Sequence, residues 1–172
     1  MGENLALLLG KSIDADKRHI GIYPVGQDAI AKVGFNGAIR HEFDIGSYLF
    51  REGIAVPEIY ELIEAERVQR YCDKPINKNN WYIIMQKIKG RERGLLFGKD
   101  KKEADKQIKE EVEKVLGLGI LPYDCFNGWN SIFRFDIRKL FLIDFAAWEK
   151  GCSAYELNHF RERLKANIKP SD

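Results

Sequence analysis

Two aspartates and one asparagine in the second half of the chain have the types and the spacing of a phosphoryl-transfer site. Asp124 and Asn130 belong to the polar segment YDCFNGWN, and Asp144 follows the apolar run LFLI. If a hairpin joins two strands between them, an Asp before the first strand and an Asp after the second converge at one end. One carboxylate and one amide oxygen suit magnesium, and the other carboxylate suits a proton. A plain turn remains an alternative for Asp144, and Asn127 remains a rival to Asn130.

A lysine in the first half has the features of a phosphate-binding residue. Lys32 lies in AIAKVGF, which alternates between apolar and polar residues and predicts a strand. A lysine among apolar neighbours needs a partner for its amine. Glu42, ten residues further on and one turn into a predicted helix, is a suitable carboxylate. The alternatives are a solvent-facing lysine on a half-exposed strand and a surface glutamate.

The elements that must position these residues predict an α+β fold. LALLL, IGIYPV and AIAKVGF indicate three short strands, and NGAIRHEFDIGSYLFREG indicates a helix that stops near Gly53. IAVPEIYELIEAERV suggests a strand that leads into another, and WYIIMQKIKG a strand that becomes polar at Gln86. The first half is therefore predicted to be an antiparallel sheet with one helix.

The second half is predicted to be mostly helical, with a small hairpin. One helix face carries Ala104, Ile108 and Val112, and Asp105–Lys109 and Glu110–Lys114 are expected to form ion pairs. Ser153 and Glu156 predict a capping box at the start of the last helix. The apolar face of that last helix consists of Leu157, Phe160, Leu164 and Ile168.

Composition restricts the class of protein. The chain has 172 residues, 45% of them hydrophobic, and a net charge of +2, which gives no reason to expect nucleic acid as a partner. Three widely spaced cysteines indicate neither a zinc site nor a disulfide framework. The apolar runs are far shorter than the ~20 residues that span a bilayer. We therefore expect a soluble cytoplasmic protein without a membrane segment.

At this point the chain resembles the protein kinases, in a minimal form similar to the RIO family and the small kinase of the tRNA-threonylcarbamoylation complex. The resemblance rests on AIAKV, RHEFDIGSYLFREGIAVPEIY, YIIMQKIKG, LGILPYDCFNGWN and LIDFAAW, and covers roughly residues 5 to 168. It implies one two-lobed domain over residues 1–172. The N-lobe would span about 1–86, the hinge about 86–90 and the truncated C-lobe about 91–172, with a cleft between the lobes.

The resemblance also implies a catalytic role for each of the residues above. Lys32 would hold the α- and β-phosphates of ATP and would pair with Glu42. Asp124 would be the catalytic base, while Asn130 and Asp144 would bind Mg²⁺. In the kinase template the protein supplies mainly positioning and charge neutralisation.

An adenine site is implied at the strand WYIIM and the hinge that follows it. Met85 would be the gatekeeper, and Gln86, Lys87 and Ile88 would offer backbone hydrogen bonds to the base. Ala31, one residue before Lys32, would form the roof of the pocket. We expect adenine between the two lobes, because a dry apolar surface with a few fixed polar groups suits a flat ring.

The implied activity is that of a transferase, an ATP- and Mg²⁺-dependent kinase, with an atypical minimal serine/threonine-protein kinase favoured. No glycine-rich loop is present, because Gly10 and Gly21 stand far apart with Asp14 and Asp16 between them, although Lys17 and Arg18 could compensate. This departure leaves a nucleotide-binding or partner-binding pseudokinase as one alternative. A small-molecule kinase is the other, because the large docking subdomain is missing. A protein acceptor is favoured.

Overall fold

The structure is a computed structural model that describes residues 2–15, 21–125 and 127–167. Its contacts divide the chain into two compact units. The first comprises Met1–Ser47 and Pro57–Lys87, and the second comprises Tyr48–Val56 and Ile88–Asp172. The second division, after Lys87, falls within the predicted hinge, but the return of Tyr48–Val56 to the second unit was not predicted. The assignment of the whole chain to one two-lobed domain stays a prediction.

The first unit contains a four-stranded antiparallel sheet with helices. The strand order is β1-β2-β4-β3, and each neighbouring pair is antiparallel. The chain leaves β2 directly into α2, whose last turn belongs to the second unit. The elements are α1 Gly2–Ala15, β1 Ile22–Val25, β2 Ala29–Phe35, α2 Asn36–Arg51, β3 Ile59–Glu64, α3 Ala65–Gln69 and β4 Asn80–Gln86.

The two faces of this sheet pack against different helices. Because side chains alternate along a strand, Ala31 and Lys32 point to opposite faces. Ala31 lies opposite Ile84, in a buried cluster with residues of α1 and α3. Lys32 lies opposite Ile83, which packs in a second cluster with Ile39 of α2. The helix that carries Glu42 therefore lies on the face of Lys32.

Two predictions of secondary structure in the first half are wrong. LALLL lies in α1 and is not a strand, because Ala6, Leu9 and Ile13 recur at helical spacing and are all buried. IAVPEIYELIEAERV contains one strand, β3, after which Ala65 begins the short helix α3. Among its described residues, the first unit therefore has three helices where the sequence predicted one. The helix α2 and strands β1, β2 and β4 are confirmed. The helix ends at Arg51, near the predicted stop at Gly53, whose backbone is left-handed with φ +76°.

The second unit contains two long helices and two small antiparallel sheets. The three-stranded sheet has the order β5-β7-β8, and the two-stranded sheet pairs β6 with β9. A 3₁₀ turn, Arg93–Leu95, precedes the first helix. The elements are β5 Arg91–Glu92, α4 Gly98–Gly117, β6 Ile120–Pro122, β7 Ser131–Arg134, β8 Lys139–Leu142, β9 Trp148–Lys150 and α5 Ala154–Asn167.

The apolar faces of both helices in this unit follow the prediction. Ala104, Ile108 and Val112 of α4 are fully buried. Phe160 and Leu164 of α5 are each only 3% exposed. Ile168 lies outside the described residues. None of the helices within the described ranges is long and apolar enough to cross a membrane.

The polar contacts of these helices follow it only in part. The capping box is present, since the N–H and hydroxyl of Ser153 both donate to Glu156 Oε2, at 2.8 and 2.7 Å. The predicted ion pairs are replaced by others. Asp105 binds Lys101 and Arg93, and Lys114 binds Glu111. Arg93 is buried, and its guanidinium lies 2.8 Å from Asp105, so it takes the place of Lys109 as a partner of that carboxylate.

We predict that Gly10→Ala destabilises the protein, because α1 approaches the segment after α3 too closely for a side chain. A Cβ at Gly10 would lie 2.6 Å from the carbonyl oxygen of Tyr71. Forcing α1 away from that backbone should lower the free energy of unfolding by about 1–3 kcal/mol. Gly37→Ala is the matched control in α2, where an added Cβ meets no atom within 4 Å. Urea unfolding measures both, and a Gly10→Ala variant as stable as the wild type contradicts the packing described here.

Candidate functional site

The side chains of Lys32 and Glu42 form a close ion pair in the first unit. The Nζ atom of Lys32 lies 2.8 Å from both Oε1 and Oε2 of Glu42. Glu42 is 2% exposed, and the side chain of Lys32 is 24% exposed. The predicted contact is therefore present, and it offers a lysine whose buried carboxylate partner fixes its position. Its role in nucleotide binding stays a prediction.

A glycine in β2 allows α2 to bring Glu42 to the strand. A Cβ at Gly34 would lie 2.5 Å from Cγ1 of Ile39, so only a residue without a side chain fits between β2 and the first turns of α2. Ile39 is 3% exposed and anchors the helix over β4. Glu42 follows Ile39 by three residues and so lies near the same face of the helix. The close approach of helix and strand therefore sets the Lys32–Glu42 distance.

Ala31 is not available to line a ligand site on the face of Lys32. Its side chain is fully buried in the cluster on the α1 side of the sheet. The prediction that Ala31 forms the roof of a pocket beside Lys32 is therefore wrong, because neighbouring residues of a strand face opposite ways. Towards the β1 edge, the face of Lys32 also carries Ile30 in β2, which is half-buried, and Ile22 and Pro24 in β1, which are exposed.

In the predicted hinge, fewer backbone N–H groups are available to a ligand than the sequence predicts. Met85 is 7% exposed and packs in the cluster on the α2 side. The N–H of Gln86 donates to the carbonyl of Glu58, and the N–H of Lys87 donates to the carbonyl of Asp28, both at 2.8 Å. The expectation that these two N–H groups are offered to adenine is therefore wrong. Hydrogen bonding through the other backbone groups, including those of Ile88, stays a prediction.

In the second unit, the side chains of Asp124 and Asn130 are joined by a hydrogen bond. Nδ2 of Asn130 donates to Oδ2 of Asp124 at 2.7 Å and to the Asp124 carbonyl at 3.3 Å. This orientation leaves Oδ1 of Asn130 as the oxygen suited to a cation. The rival Asn127 uses its own Oδ1 to accept the N–H of Trp129, at 3.2 Å. The geometry therefore favours Asn130 over Asn127 as a metal ligand.

The hairpin β7–β8 brings Asp144 to the same end of the unit as Asn130. Ser131 lies opposite Leu142, and the N–H of Ile143 donates to the carbonyl of Asn130 at 3.1 Å. Asp144 follows directly, with a left-handed backbone of φ +64°. Few residues other than glycine adopt this conformation, and Asp and Asn tolerate it best. The predicted convergence of the two ends of the hairpin is therefore present, with Asp144 held in a conformation that suits its residue type.

Trp148 is a member of this cluster that the sequence analysis missed. Its Nε1–H donates to Oδ1 of Asp124 at 3.0 Å, so the two carboxylate oxygens of Asp124 accept from different side chains. The indole is fully buried and packs edge-on against Phe145, with ring centroids 5.0 Å apart. The one available signal was chemical, since a buried tryptophan usually finds an acceptor for its N–H.

The neighbouring thiol is chemically inert. Burial raises the pKa of Cys125 to about 12, the negative charge of Asp124 adds to the increase, and Arg93 opposes it. The thiol is therefore protonated at neutral pH, and nucleophilic chemistry at Cys125 is disfavoured.

The donor set fits magnesium better than a metal that needs a complete protein cage. Within the described ranges, no group of three or more His, Cys, Asp or Glu side chains is placed to hold a metal. Magnesium is typically bound through one or two carboxylates, with water and phosphate oxygens completing its shell. Asn130 and Asp144 suit such a partial set.

The substitutes for a glycine-rich loop remain untested. Asp16, Lys17 and Arg18 lie outside the described residues. Asp14, at the end of α1, accepts hydrogen bonds from the backbone N–H groups of Asp73 and Lys74, at 2.8 and 3.2 Å. Its carboxylate therefore ties α1 to the loop before β4, and Asp14 has a structural explanation.

Comparison with known proteins supports the fold. No family model matches the chain, and no curated protein matches it in sequence. A co-crystal structure of WbdD with the kinase inhibitor LY294002 is similar, with a TM-score of 0.56 and 14% identity over 91% of this chain and 37% of WbdD. A 2.2 Å crystal structure of WbdD gives a TM-score of 0.53 and 15% identity over 84% of this chain and 34% of WbdD. The chain thus spans little more than a third of WbdD.

At this level of identity the likeness concerns the fold alone. The chain has a kinase-like fold of the α+β class, as the sequence resemblance implies. The narrower resemblance to the RIO family and its relatives stays a prediction.

We predict that Lys32→Met destabilises the protein, because it leaves the buried carboxylate of Glu42 without the Lys32 ammonium. Removing one member of a largely buried pair should lower the free energy of unfolding by about 2–3 kcal/mol, allowing for the partial exposure of Lys32. The double variant Lys32→Met/Glu42→Leu should recover at least half of this loss, because both charges are then absent. Urea unfolding measures each variant.

The matched control is Arg67→Met, which breaks the 2.6 Å pair with Glu61, whose side chains are 35% and 25% exposed. This change should cost less than about 1 kcal/mol. Equal losses in Lys32→Met and Arg67→Met would show that the burial of Glu42 carries no special cost.

Proposed function

We propose that the chain is an ATP- and Mg²⁺-dependent phosphotransferase, an atypical minimal serine/threonine-protein kinase. The observation that carries the proposal is the cluster in which Asn130 holds Asp124, while the β7–β8 hairpin brings Asp144 to the same end of the unit as Asn130. The cluster contains a proton acceptor and two oxygen ligands. The Lys32–Glu42 pair and the kinase-like fold support the same reading.

Each residue of the cluster has a separate task in the proposed reaction. The acceptor hydroxyl gives its proton to Asp124 while its oxygen forms a bond to the γ-phosphorus, and the bond from that phosphorus to the ADP oxygen breaks. Asn130 and Asp144 would hold Mg²⁺, and the ion would supply positive charge to offset that of the phosphates. Lys32 holds the phosphates in place, and Glu42 keeps its ammonium from turning away.

The nucleotide base is assigned to the apolar part of the sheet face that carries Lys32. Ile22 is 57% exposed, Pro24 is exposed and Ile30 is half-buried, so this end of the face offers apolar surface beside the lysine. A flat base gains from covering such a surface. Met85 lies opposite Ile30 across the β2–β4 pair and would limit how far the base enters.

A protein hydroxyl is proposed as the acceptor, with a small-molecule hydroxyl as the alternative. Asp124 can accept a proton from either, and the fold class hosts both kinds of substrate. The proposal favours protein on the resemblance of the GIAVP segment to small protein kinases. A cytoplasmic location belongs to the same proposal.

A second candidate function is a pseudokinase that acts by binding a nucleotide or a partner. One observation favours it, because α1 replaces the predicted first strand, and the described residues contain no glycine-rich loop between strands that could hold phosphates. The five polar residues Lys32, Glu42, Asp124, Asn130 and Asp144 argue against it, because a scaffold has no chemical need of them all.

The proposal predicts that ATP and magnesium together stabilise the protein. At a hundredfold excess over its dissociation constant, a ligand that binds only the folded state adds about 2.7 kcal/mol to the free energy of unfolding. Thermal unfolding with millimolar ATP and Mg²⁺ should therefore show a clear increase in Tm, and γ-labelled ATP should label the protein or an acceptor in a lysate. A shift in Tm without label would favour the pseudokinase. The absence of both a shift and a label would refute nucleotide binding.

Substitutions at the two aspartates are predicted to have different effects. Asp144→Asn removes a charged oxygen ligand but keeps a residue that tolerates φ +64°, so it should weaken ATP binding only when Mg²⁺ is present. Asp124→Asn should leave ATP binding within about twofold and lower kcat by at least about a hundredfold, because the base acts in the transition state. Calorimetry with and without Mg²⁺ and steady-state kinetics measure the two effects. Identical affinities for Mg²⁺–ATP in Asp144→Asn and the wild type would contradict the role of Asp144.

A further inference from the structure

We infer that Trp148 is a positioning residue for Asp124, and that its indole N–H holds the carboxylate in the orientation used for proton transfer. This inference rests on the proposed function. It adds a role for a residue to which the kinase resemblance assigns none. The contact is the 3.0 Å hydrogen bond from Nε1 of Trp148 to Oδ1 of Asp124.

The first support is that the two oxygens of Asp124 have separate donors. Asn130 donates to Oδ2 at 2.7 Å, and Trp148 donates to Oδ1 at 3.0 Å. With one donor alone, only one oxygen of the carboxylate is held, so the plane of the group is less restrained. With two donors from different segments, the plane of the carboxylate and the side-chain rotamer of Asp124 are both restrained. Both donors are neutral, so they orient the carboxylate without placing a positive charge that would oppose proton transfer to it.

The second support is that Trp148 is itself held rigidly. Its side chain is fully buried and packs edge-on against Phe145, at 5.0 Å and 75°. Its backbone lies opposite Pro122 in the β6–β9 pair, and its N–H donates to the carbonyl of Phe145 at 3.1 Å. The strand that leads to Asp124 and the strand that begins with Trp148 are therefore neighbours. A donor with so little freedom can impose its geometry on a half-buried carboxylate.

The third support is that Trp148 links the loop of Asp124 to the segment after Asp144. The turn from Phe145 to Trp148 begins one residue after Asp144, and the indole returns from it to Asp124. The proposed metal ligand and the proposed base are thus joined through Phe145 and Trp148. A change in the turn would move the indole and therefore alter the orientation of the Asp124 carboxylate.

The test uses the full chain and a change that removes the N–H while keeping an aromatic ring. Trp148→Phe should lower kcat roughly ten- to a hundredfold, because a hydrogen bond to a charged group is lost and the base is no longer fixed. The KM for ATP should stay within about twofold, because Trp148 has no proposed contact with the nucleotide. Replacing the indole of Trp148 by benzothiophene, which has nearly the same shape but no N–H, should give the same split.

The matched control is Trp129→Phe, a change at an exposed tryptophan of the same unit whose ring is 55% exposed. It should leave both parameters near those of the wild type. A benzothiophene variant with wild-type kcat would overturn the inference even if Trp148→Phe were impaired, because the effect would then come from shape and not from the N–H.

A second measurement does not depend on activity. With ¹⁵N-labelled tryptophan the protein should give three indole signals, from Trp81, Trp129 and Trp148. Asp124→Asn should shift the signal of Trp148, assigned by its loss in Trp148→Phe, and leave that of Trp129 in place. A Trp148 signal unmoved by Asp124→Asn overturns the inference. If the wild type transfers no phosphate, the proposed function fails by that result, and the spectrum alone decides whether Trp148 holds Asp124.

Discussion

A carboxylate that is partly removed from water needs hydrogen-bond donors from the protein. In the second unit, Asp124 is such a carboxylate, and the segments around it supply the donors. Its oxygens accept from Asn130, directly before β7, and from Trp148, at the start of β9. Since Asp124 itself follows β6, one side chain joins three strands that belong to two different small sheets. Withdrawing either donor would leave a half-buried charge with fewer partners, which costs more than a typical hydrogen bond contributes. The positions of the Asn130 amide and the Trp148 indole around the proposed base therefore follow from satisfying one carboxylate.

The same constraint acts in the first unit with a different solution. Glu42 is almost fully buried, and a neutral donor would offset little of the free energy needed to remove its charge from water. The ammonium of Lys32 offsets more, but only if the helix and the strand come close enough for contact. The absence of a side chain at Gly34 allows that approach, and Ile39 fills the space beside it. Packing and electrostatics are thus coupled, since the glycine that lets α2 approach also sets the ion-pair distance.

How much of this the sequence could predict depends on how local each contact is. The faces of α4 and α5 were predictable because an apolar period recurs over several turns, and the Lys32–Glu42 pair because a strand leads directly into a helix. The opposite orientations of Ala31 and Lys32 were also available from strand alternation. The helix α1 was missed because LALLL is apolar without a break and its period emerges only with Ile13. The engaged N–H groups of Gln86 and Lys87, and the bond from Trp148 to Asp124, depend on pairing between distant segments, which no local pattern reports.

These polar groups are costly, and the cost bears on the choice between enzyme and scaffold. Replacing a buried ion pair by well-packed apolar side chains is often neutral or stabilising, so the fold alone does not require Lys32 and Glu42. The left-handed backbone at Asp144 is one that aspartate tolerates better than most residues but less well than glycine. Strained backbone and buried polar groups tend to occur together at functional sites, where they are maintained at the expense of stability. A protein that only presented a surface to a partner would gain from losing each of these features. The Lys32–Glu42 pair in the first unit and the polar cluster around Asp124 in the second therefore fit the proposed enzyme better than the proposed scaffold.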